Sequence, residues 1–142
     1  HGLHDENHYT TAYDLYLIFK EVIKHPEFQK ITSIAEYTVS YTDGEGNPVE
    51  IPISNSDLFI SADYPLDAGI AVVAGKTGTT NEAGCCLIVE AKDSKGQDYI
   101  ALVCGAPYRD SLYYQLQQLL NQTIAQDEIS TTSCCTSNKV VL

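Results

Sequence analysis

Basic residues and long apolar runs are scarce in this chain. Only 8 of its 142 residues are Lys or Arg, against 19 Asp and Glu, and Arg109 is the sole arginine. The net charge of −11 argues against a nucleic-acid partner, because proteins that bind nucleic acid neutralise phosphates with clustered basic side chains. Apolar stretches such as 70–74 are far shorter than the roughly 20 residues that cross a bilayer. We therefore expect neither nucleic-acid binding nor a transmembrane helix.

The sequence also lacks methionine and has no charged-then-apolar leader at its start. It opens at His1 within a stretch that is typical of a structured loop, so we expect a processed or excised segment. Its length suits one domain or a part of one, and a hydrophobic content of 44% suffices for a core without disulfides or metal.

The five cysteines match no familiar metal or disulfide pattern. Two adjacent pairs, Cys85–Cys86 and Cys134–Cys135, accompany the single Cys104. Neighbouring side chains on a strand point to opposite faces, so Cys85 and Cys86 are poorly placed to bridge each other. The spacing fits neither a zinc knuckle nor a disulfide framework. We expect Cys85 or Cys86, and Cys104, to be small buried apolar residues, which leaves the redox compartment open.

Hydrophobic periodicity predicts a mixture of helices and strands up to about residue 124. The predicted elements are helices at 11–24, 26–31 and 110–124, a hairpin of 37–41 with 49–53, and strands at 70–79, 84–91 and 98–106. A loop with one short helical turn is expected at 54–68. Residues 125–142 are polar and predict a flexible tail.

The segment Gly75 to Thr80, Gly-Lys-Thr-Gly-Thr-Thr, has two chemical interpretations. A phosphate-binding loop needs a glycine five residues before its Gly-Lys-Thr, but Ile70 occupies that position and the intervening residues favour a straight strand. The other interpretation is a Lys-Thr-Gly triplet on a strand beside an acyl-transfer site. We favour the triplet, and a solvated strand end without function is the remaining alternative.

Each residue of the triplet has a physical role in acyl transfer. The Lys76 ammonium supplies a positive field for a substrate carboxylate, and the Thr77 hydroxyl adds a hydrogen bond. Gly78 lets a substrate backbone lie against the strand, and the Thr79 N–H can face the oxygen that becomes negative in a tetrahedral intermediate. We therefore expect Lys76, Thr77, Gly78 and Thr79 to bind substrate, with Lys76 and Thr79 serving catalysis.

Longer motifs around the triplet resemble one enzyme family. Residues 75–87, with Lys-Thr-Gly-Thr-Thr, Ala-Gly and Cys-Leu, are similar to a stretch of the low-molecular-mass penicillin-binding proteins, the D-alanyl-D-alanine carboxypeptidases. The segments 1–5 and 8–15, His-Gly-Leu-His-Asp and His-Tyr-Thr-Thr-Ala-Tyr-Asp-Leu, resemble their histidine-rich region. Residues 103–106, leading into a leucine helix, are similar to their last strand and C-terminal helix. The resemblance extends over 1–120.

This resemblance implies that residues 1–124 form part of an α+β domain, an antiparallel sheet with flanking helices in a partial β-lactamase/transpeptidase-like fold. The Lys76 strand would border the active site. It implies an enzyme that removes the terminal D-alanine of peptidoglycan stem peptides through a serine acyl-enzyme, which β-lactams trap. It also implies no cofactor, no metal and a location outside the cytoplasmic membrane, in the cell envelope. By its position after the last strand, Arg109 resembles an arginine that faces the substrate carboxylate in some relatives. A surface pair with Asp110 is the alternative.

Two catalytic motifs of that family are missing from the sequence. No serine is followed three residues later by lysine, and no Ser-x-Asn occurs, while the Thr-x-x-Lys at 136–139 lies in the polar tail. Without nucleophile and base no acyl-enzyme can form, so we expect a C-terminal part of the catalytic domain that is inactive alone. The alternatives are a non-catalytic module that binds D-Ala-D-Ala ends or a partner and, third, a β-lactamase fragment.

The histidines near the start suggest a metal only by their spacing. His4 and His8 are four residues apart, which would suit a metal on a helix. The polar run between them favours a loop, and no third ligand is evident, so we expect no metal site. Residues such as His1, Asp5 and Tyr9 are expected, with His8, to hold the loop that leads into the first helix.

By the same resemblance, the strand at 98–106 pairs with a strand that lies upstream in the family. Ile100, Leu102 and Val103 would then lie along an unpaired edge, which is a template for self-association. We expect size-exclusion chromatography with light scattering to show oligomers at high concentration. A clean monomer would mean that the chain covers this edge in another way.

Overall fold

The predicted α+β class is confirmed by the computed structural model, which describes residues 2–130 and 139–141, with side chains up to residue 125. The elements are α1 (Ala12–Val22), α2 (Pro26–Thr32), β1 (Glu36–Thr42), β2 (Pro48–Ser54), β3 (Ala71–Thr80), β4 (Gly84–Lys92), β5 (Asp98–Ala106), α3 (Arg109–Ser130) and β6 (Lys139–Val141). Within the described ranges, no helix is both long and apolar enough to cross a membrane.

Helix α1 begins at a capping box formed by Thr11 and Asp14. The Thr11 hydroxyl accepts a hydrogen bond from Asp14 N at 3.1 Å, and the Asp14 carboxylate accepts one from Thr11 N at 3.3 Å. Two backbone N–H groups that have no partner within the helix are satisfied in this way. Pro26 then opens α2, where its missing N–H costs nothing. Both helices follow the sequence prediction.

The strands form two sheets. Strands β1 and β2 make the predicted antiparallel hairpin, and the second sheet has the order β3-β4-β5-β6. The pairs β3–β4 and β4–β5 are antiparallel, as the turns that connect these strands require. Among the described strands, β3 is bonded on one side only. The Lys-Thr-Gly strand is therefore an outer strand of the larger sheet.

Both faces of the larger sheet are buried. Because successive strand residues point to opposite faces, Leu87 and Val89 of β4 pack with the leucines of α3. On the opposite face, Ile100 and Leu102 of β5 pack with Tyr16 of α1. The sheet thus separates two hydrophobic clusters, one under α3 and one under α1.

The predicted start of the flexible tail is wrong. Helix α3 continues to Ser130, beyond the predicted end at Ile124 and into the segment 125–142. No glycine or proline interrupts residues 110–130, and Gln, Glu and Ala are good helix formers, so the polar composition does not end the helix. The part of the predicted tail at 131–138 lies outside the described residues.

The predicted loop at 54–68 does contain a hydrogen-bonded turn, from Ile60 N to Asp57 O.

The edge of β5 is not bare, contrary to the sequence expectation. Strand β6 pairs in parallel with Tyr99–Ala101, so Ile100 lies beside a segment of its own chain. The side chains of Ile100 and Leu102 are buried under α1, at 1% and 4% exposure. A free row of backbone donors and acceptors is satisfied here by intramolecular pairing. Self-association through the remainder of this edge stays a prediction.

Gly75 is the tightest backbone position of β3 and gives a direct test of the packing. A methyl carbon added there would overlap the Asp57 carboxylate and lie 3.1 Å from Val89 Cγ1 and 3.2 Å from Ile88 O. We expect Gly75→Ala to lower the free energy of unfolding by about 1–3 kcal/mol, because an overpacked site must displace its neighbours. Urea denaturation followed by circular dichroism measures the change.

Gly78→Ala is the matched control for this measurement. Gly78 lies on the same strand, but a methyl carbon added there meets nothing within 4 Å. We expect its stability to stay within about 0.5 kcal/mol of the wild type. Equal effects of the two substitutions would contradict the close approach of Asp57 to β3.

Candidate active site

Lys76 lies on the exposed outer strand β3, as the acyl-transfer interpretation requires. Its neighbours Thr77, Gly78 and Thr79 continue the same strand, so the triplet is neither helical nor part of a turn. Lys76 pairs with Ile88 across the ladder and Thr77 with Leu87, so their side chains leave opposite faces of the sheet. The Lys76 ammonium donates to the carbonyl oxygen of Thr77 at 2.5 Å. A cation thus lies along the outer strand.

The Thr77 hydroxyl has a partner that the sequence analysis missed. Thr77 Oγ1 lies 2.7 Å from Ser56 Oγ, although the two residues are 21 positions apart. Ser56 lies in the loop between β2 and β3, which was predicted only as a connection. No local pattern could have singled it out, because a serine among polar loop residues is ordinary.

The backbone around Ser56 is held by Asn55. The Asn55 side-chain amide donates to Thr32 O at 2.8 Å and to Ile34 O at 2.9 Å, which ties the loop to the end of α2. Its carbonyl oxygen accepts from Asp57 N at 2.9 Å, an Asx turn across Ser56. All three side-chain hydrogen bonds of Asn55 therefore restrain the residue that contacts Thr77.

The same loop is joined to helix α3 by Tyr113. The Tyr113 hydroxyl donates to Ser56 O at 3.1 Å and accepts from Leu58 N at 2.9 Å. Tyr113 is 1% exposed, and its ring stacks on Tyr64 at 4.5 Å between centroids. Desolvation raises the pKa of the Tyr113 phenol, and the nearby Asp57 charge adds to this. The ring is therefore a neutral, fixed bridge between α3 and the loop.

Asp57 is a buried carboxyl directly beneath the strand. It is 1% exposed, and Oδ1 accepts a hydrogen bond from Phe59 N at 3.1 Å. Its other oxygen, Oδ2, is buried, faces Gly75 and has no hydrogen-bond partner among the described residues. Burial raises the pKa of the Asp57 carboxyl to about 6, and the bond from Phe59 N offsets this only in part.

Arg109 is exposed at the first position of α3, and its pair with Asp110 is not found. The Asp110 carboxylate accepts a hydrogen bond from Tyr64 instead, which raises the pKa of the Tyr64 phenol. The Arg109 charge acts in the opposite sense on the phenols of Tyr64 and Tyr113. Among the described side chains, Arg109 makes no ion pair and no hydrogen bond with β3.

The segment before α1 forms a loop, as predicted, beside the far end of β3. His8 N bonds to Asp5 O at 2.9 Å, and Asn7 N bonds to the Asp5 carboxylate at 2.8 Å. A groove of about 380 Å³ separates this loop from the sheet. Its lining includes Leu3, His4, His8, Tyr9, Thr80, Cys86 and Cys104. No cluster of three or more metal-ligating side chains occurs among the residues that the structure describes.

The expected burial of Cys104 is wrong. Cys104 is exposed at the end of β5, whereas Cys85 and Cys86 are half-buried. An irregular register between Cys85 and Leu87 places Cys86 opposite the end of β5, where its sulfur accepts from Gly105 N at 3.5 Å. The pKa of the Cys104 thiol is raised to about 11, mainly by desolvation and to a smaller extent by the nearby Cys86 thiol. The sequence could not locate this bulge, because it depends on the pairing of β4 with β5.

The fold is that of the DD-peptidases. A point mutant of the Streptomyces K15 DD-transpeptidase matches the chain with a TM-score of 0.74 at 20% identity, over 86% of this chain and 45% of that one. A D-alanyl-D-alanine carboxypeptidase from Mycobacterium tuberculosis matches with a TM-score of 0.57 at 22% identity, over 99% of this chain and 48% of that one. These matches confirm the partial transpeptidase-like fold.

Sequence comparison identifies the family. The profile of the D-alanyl-D-alanine carboxypeptidase family matches residues 1–108. The chain is 32% identical over 129 residues to the carboxypeptidase DacF of Bacillus subtilis, which covers 89% of this chain and 30% of that protein. It is 30% identical to DacA of Haemophilus influenzae, over 90% of this chain and 29% of that protein. The chain belongs to the D-alanyl-D-alanine carboxypeptidase family and spans about a third of these relatives' length.

The buried Asp57 predicts an unusual pH dependence of stability. Its pKa is about 6 in the folded chain and near 3.8 when unfolded, so the unfolded chain loses this proton first as the pH rises. The group's contribution to the free energy of unfolding is therefore full below about pH 4 and falls between pH 4 and 6, by on the order of 3 kcal/mol. Asp57→Asn, which cannot ionise, should be more stable than the wild type at pH 7.5.

Urea denaturation at pH 4 and at pH 7.5 checks this prediction. The advantage of Asp57→Asn should disappear at pH 4, where the wild-type carboxyl is also neutral. Asp67→Asn, at an exposed position of the same loop, is the control and should show no such pH-dependent difference. A constant stability difference between wild type and Asp57→Asn at the two pH values would be evidence against a raised pKa of the Asp57 carboxyl.

Proposed function

We propose that residues 1–124 form the C-terminal part of the catalytic domain of a peptidoglycan D-Ala-D-Ala carboxypeptidase. In this proposal the chain carries the strand that binds the substrate, and it is inactive in hydrolysis on its own. The observation that supports it most directly is the placement of Lys76 and Thr77 on the one-sided outer strand β3. Membership of the carboxypeptidase family gives the reaction class.

The proposed substrate lies along β3 as an extended peptide. An outer strand has unpaired backbone groups that can bind an added strand, and Gly78, where space is open, permits a close approach. The terminal carboxylate of the peptide is attracted by the Lys76 ammonium and accepts a hydrogen bond from the Thr77 hydroxyl. Arg109 adds a second positive charge on the α3 side. In a chain of net charge −11, such a local cation is needed to hold an anionic ligand.

The chemical step needs groups that this sequence does not contain. In the whole protein a serine hydroxyl would attack the carbonyl of the penultimate D-alanine, its proton would pass to a base and then to the departing amine, and water would release the acyl group. The Thr79 N–H would supply one of the donors for the oxyanion. The absence of Ser-x-x-Lys from the 142 residues supports the proposed inactivity of this polypeptide.

Further properties follow from the same assignment. We propose that β-lactams acylate the whole protein at its serine, that no cofactor takes part, and that the protein acts outside the cytoplasmic membrane, where peptidoglycan lies. The second candidate is a non-catalytic module that binds D-Ala-D-Ala ends. The absence of the nucleophile motif from this sequence favours the binding module, provided that no other part of the protein supplies the serine.

Ligand binding by the Lys76 strand can be measured on the chain itself. Lys76→Ala should weaken binding of N-acetyl-D-Ala-D-Ala by about tenfold, because a charge-assisted hydrogen bond is lost. Chemical-shift changes of the β3 amides during titration with the dipeptide give the dissociation constant. Lys95→Ala, which removes the same charge from the β4–β5 turn, is the control and should bind as the wild type does. Equal losses in both variants would indicate a general charge effect.

A fluorescent penicillin tests the proposed inactivity. We expect no covalent labelling of this polypeptide after denaturing electrophoresis, whereas a chain extended upstream to include a Ser-x-x-Lys motif should be labelled. Boiled protein is the control for non-specific attachment. Labelling of the 142-residue chain would refute the missing-nucleophile argument, and absence of label from the extended chain would favour the binding module.

A further inference from the structure

The contact between Ser56 and Thr77 joins a loop to the proposed carboxylate-binding residue. Their hydroxyl oxygens are 2.7 Å apart, and either hydroxyl can be the donor in the free chain. Ser56 is exposed and Thr77 is half-buried, so the pair lies at the surface of β3. A hydroxyl has one proton to donate and can accept two hydrogen bonds. The direction of this one bond therefore decides whether the Thr77 proton is available to a ligand.

A carboxylate ligand fixes that direction. An ionised carboxylate only accepts hydrogen bonds, so Thr77 can bind it only by donating its single proton. Ser56 must then donate to Thr77 Oγ1, which gives a chain of donors from Ser56 through Thr77 to the ligand. Hydrogen bonds in such a chain polarise and strengthen one another.

Ser56 is well suited to this role because its backbone is held on both sides. Asn55 bonds to the end of α2 and to Asp57 N, and Tyr113 bonds to Ser56 O and Leu58 N. These bonds come from two different helical regions of the chain. A donor on a loop with so many anchors loses little further freedom when a ligand binds.

We propose that Ser56 is a positioning residue that fixes the Thr77 hydroxyl as a donor toward the terminal carboxylate of a D-Ala-D-Ala peptide. The inference rests on the proposed function, since it assigns the ligand to Thr77. Ser56 acts through Thr77 and needs no contact with the peptide itself.

Binding of N-acetyl-D-Ala-D-Ala to the 142-residue chain tests the proposal by a double-mutant cycle. Ser56→Ala should weaken binding by about fivefold, because the Thr77 hydroxyl loses its orienting partner. Ser56→Thr, which keeps the hydroxyl, should restore wild-type affinity. In the background of Thr77→Val, which removes the hydroxyl with little change of shape, Ser56→Ala should have no further effect. A loss of equal size in both backgrounds would overturn the proposal, because it would indicate a merely structural role.

Ser61→Ala is the matched control. Ser61 is an exposed serine of the same loop, whose hydroxyl bonds to Leu58 O and to Asp63. It should bind the dipeptide as the wild type does. A loss as large as that of Ser56→Ala would attribute the effect to the loop as a whole and overturn the specific role of Ser56.

A measurement without ligand separates this inference from the proposed function. Three-bond NMR couplings to the Thr77 methyl carbon report its χ1 angle, which should be a single rotamer in the wild type and in Ser56→Thr and an average in Ser56→Ala. An unchanged rotamer in Ser56→Ala would overturn the positioning role even if the dipeptide binds. If the wild-type chain does not bind the dipeptide, the proposed function fails, and the carboxylate role of Ser56 fails with it.

Discussion

The antiparallel pairing of β3 with β4 is the constraint on which the candidate site depends. Strand β4 is buried on both faces, by α3 on one side and α1 on the other, so its position is fixed by two hydrophobic clusters. Its register places Thr77 opposite Leu87 and Lys76 opposite Ile88. A shift by one residue would exchange the faces to which these side chains point. The core of the molecule therefore sets the direction of each polar group on the outer strand.

Much of this arrangement could be predicted from local sequence. Thr11 with Asp14, Pro26 and the alternation along β4 and β5 are short-range signals, and the structure follows them closely. The triplet at 76–78 could also be placed on a strand, because the residues before it favour extended backbone. What these elements share is that each is determined by its immediate neighbours in the chain.

The features that prediction missed all depend on contacts between distant residues. Ser56 contacts Thr77 in a loop that Tyr113 bonds to α3. Asp57 is buried in the space that Gly75 leaves by having no side chain. The bulge at Cys86 likewise arises from the pairing of two strands. Periodicity within one segment contains no information about such long-range contacts. Composition misled in another way at α3, since polar residues without glycine or proline remain helical.

The one-sided bonding of β3 has a consequence for the handling of the protein. The backbone groups on the side of β3 that bears no described strand, where we propose that an extended peptide binds, could also bind a strand from another molecule. A short peptide ligand and a strand from another molecule would therefore compete for the same backbone groups. On the proposal that β3 binds a peptide, a bound peptide mimic would block this self-association, and the solubility of the protein would then depend on ligand saturation.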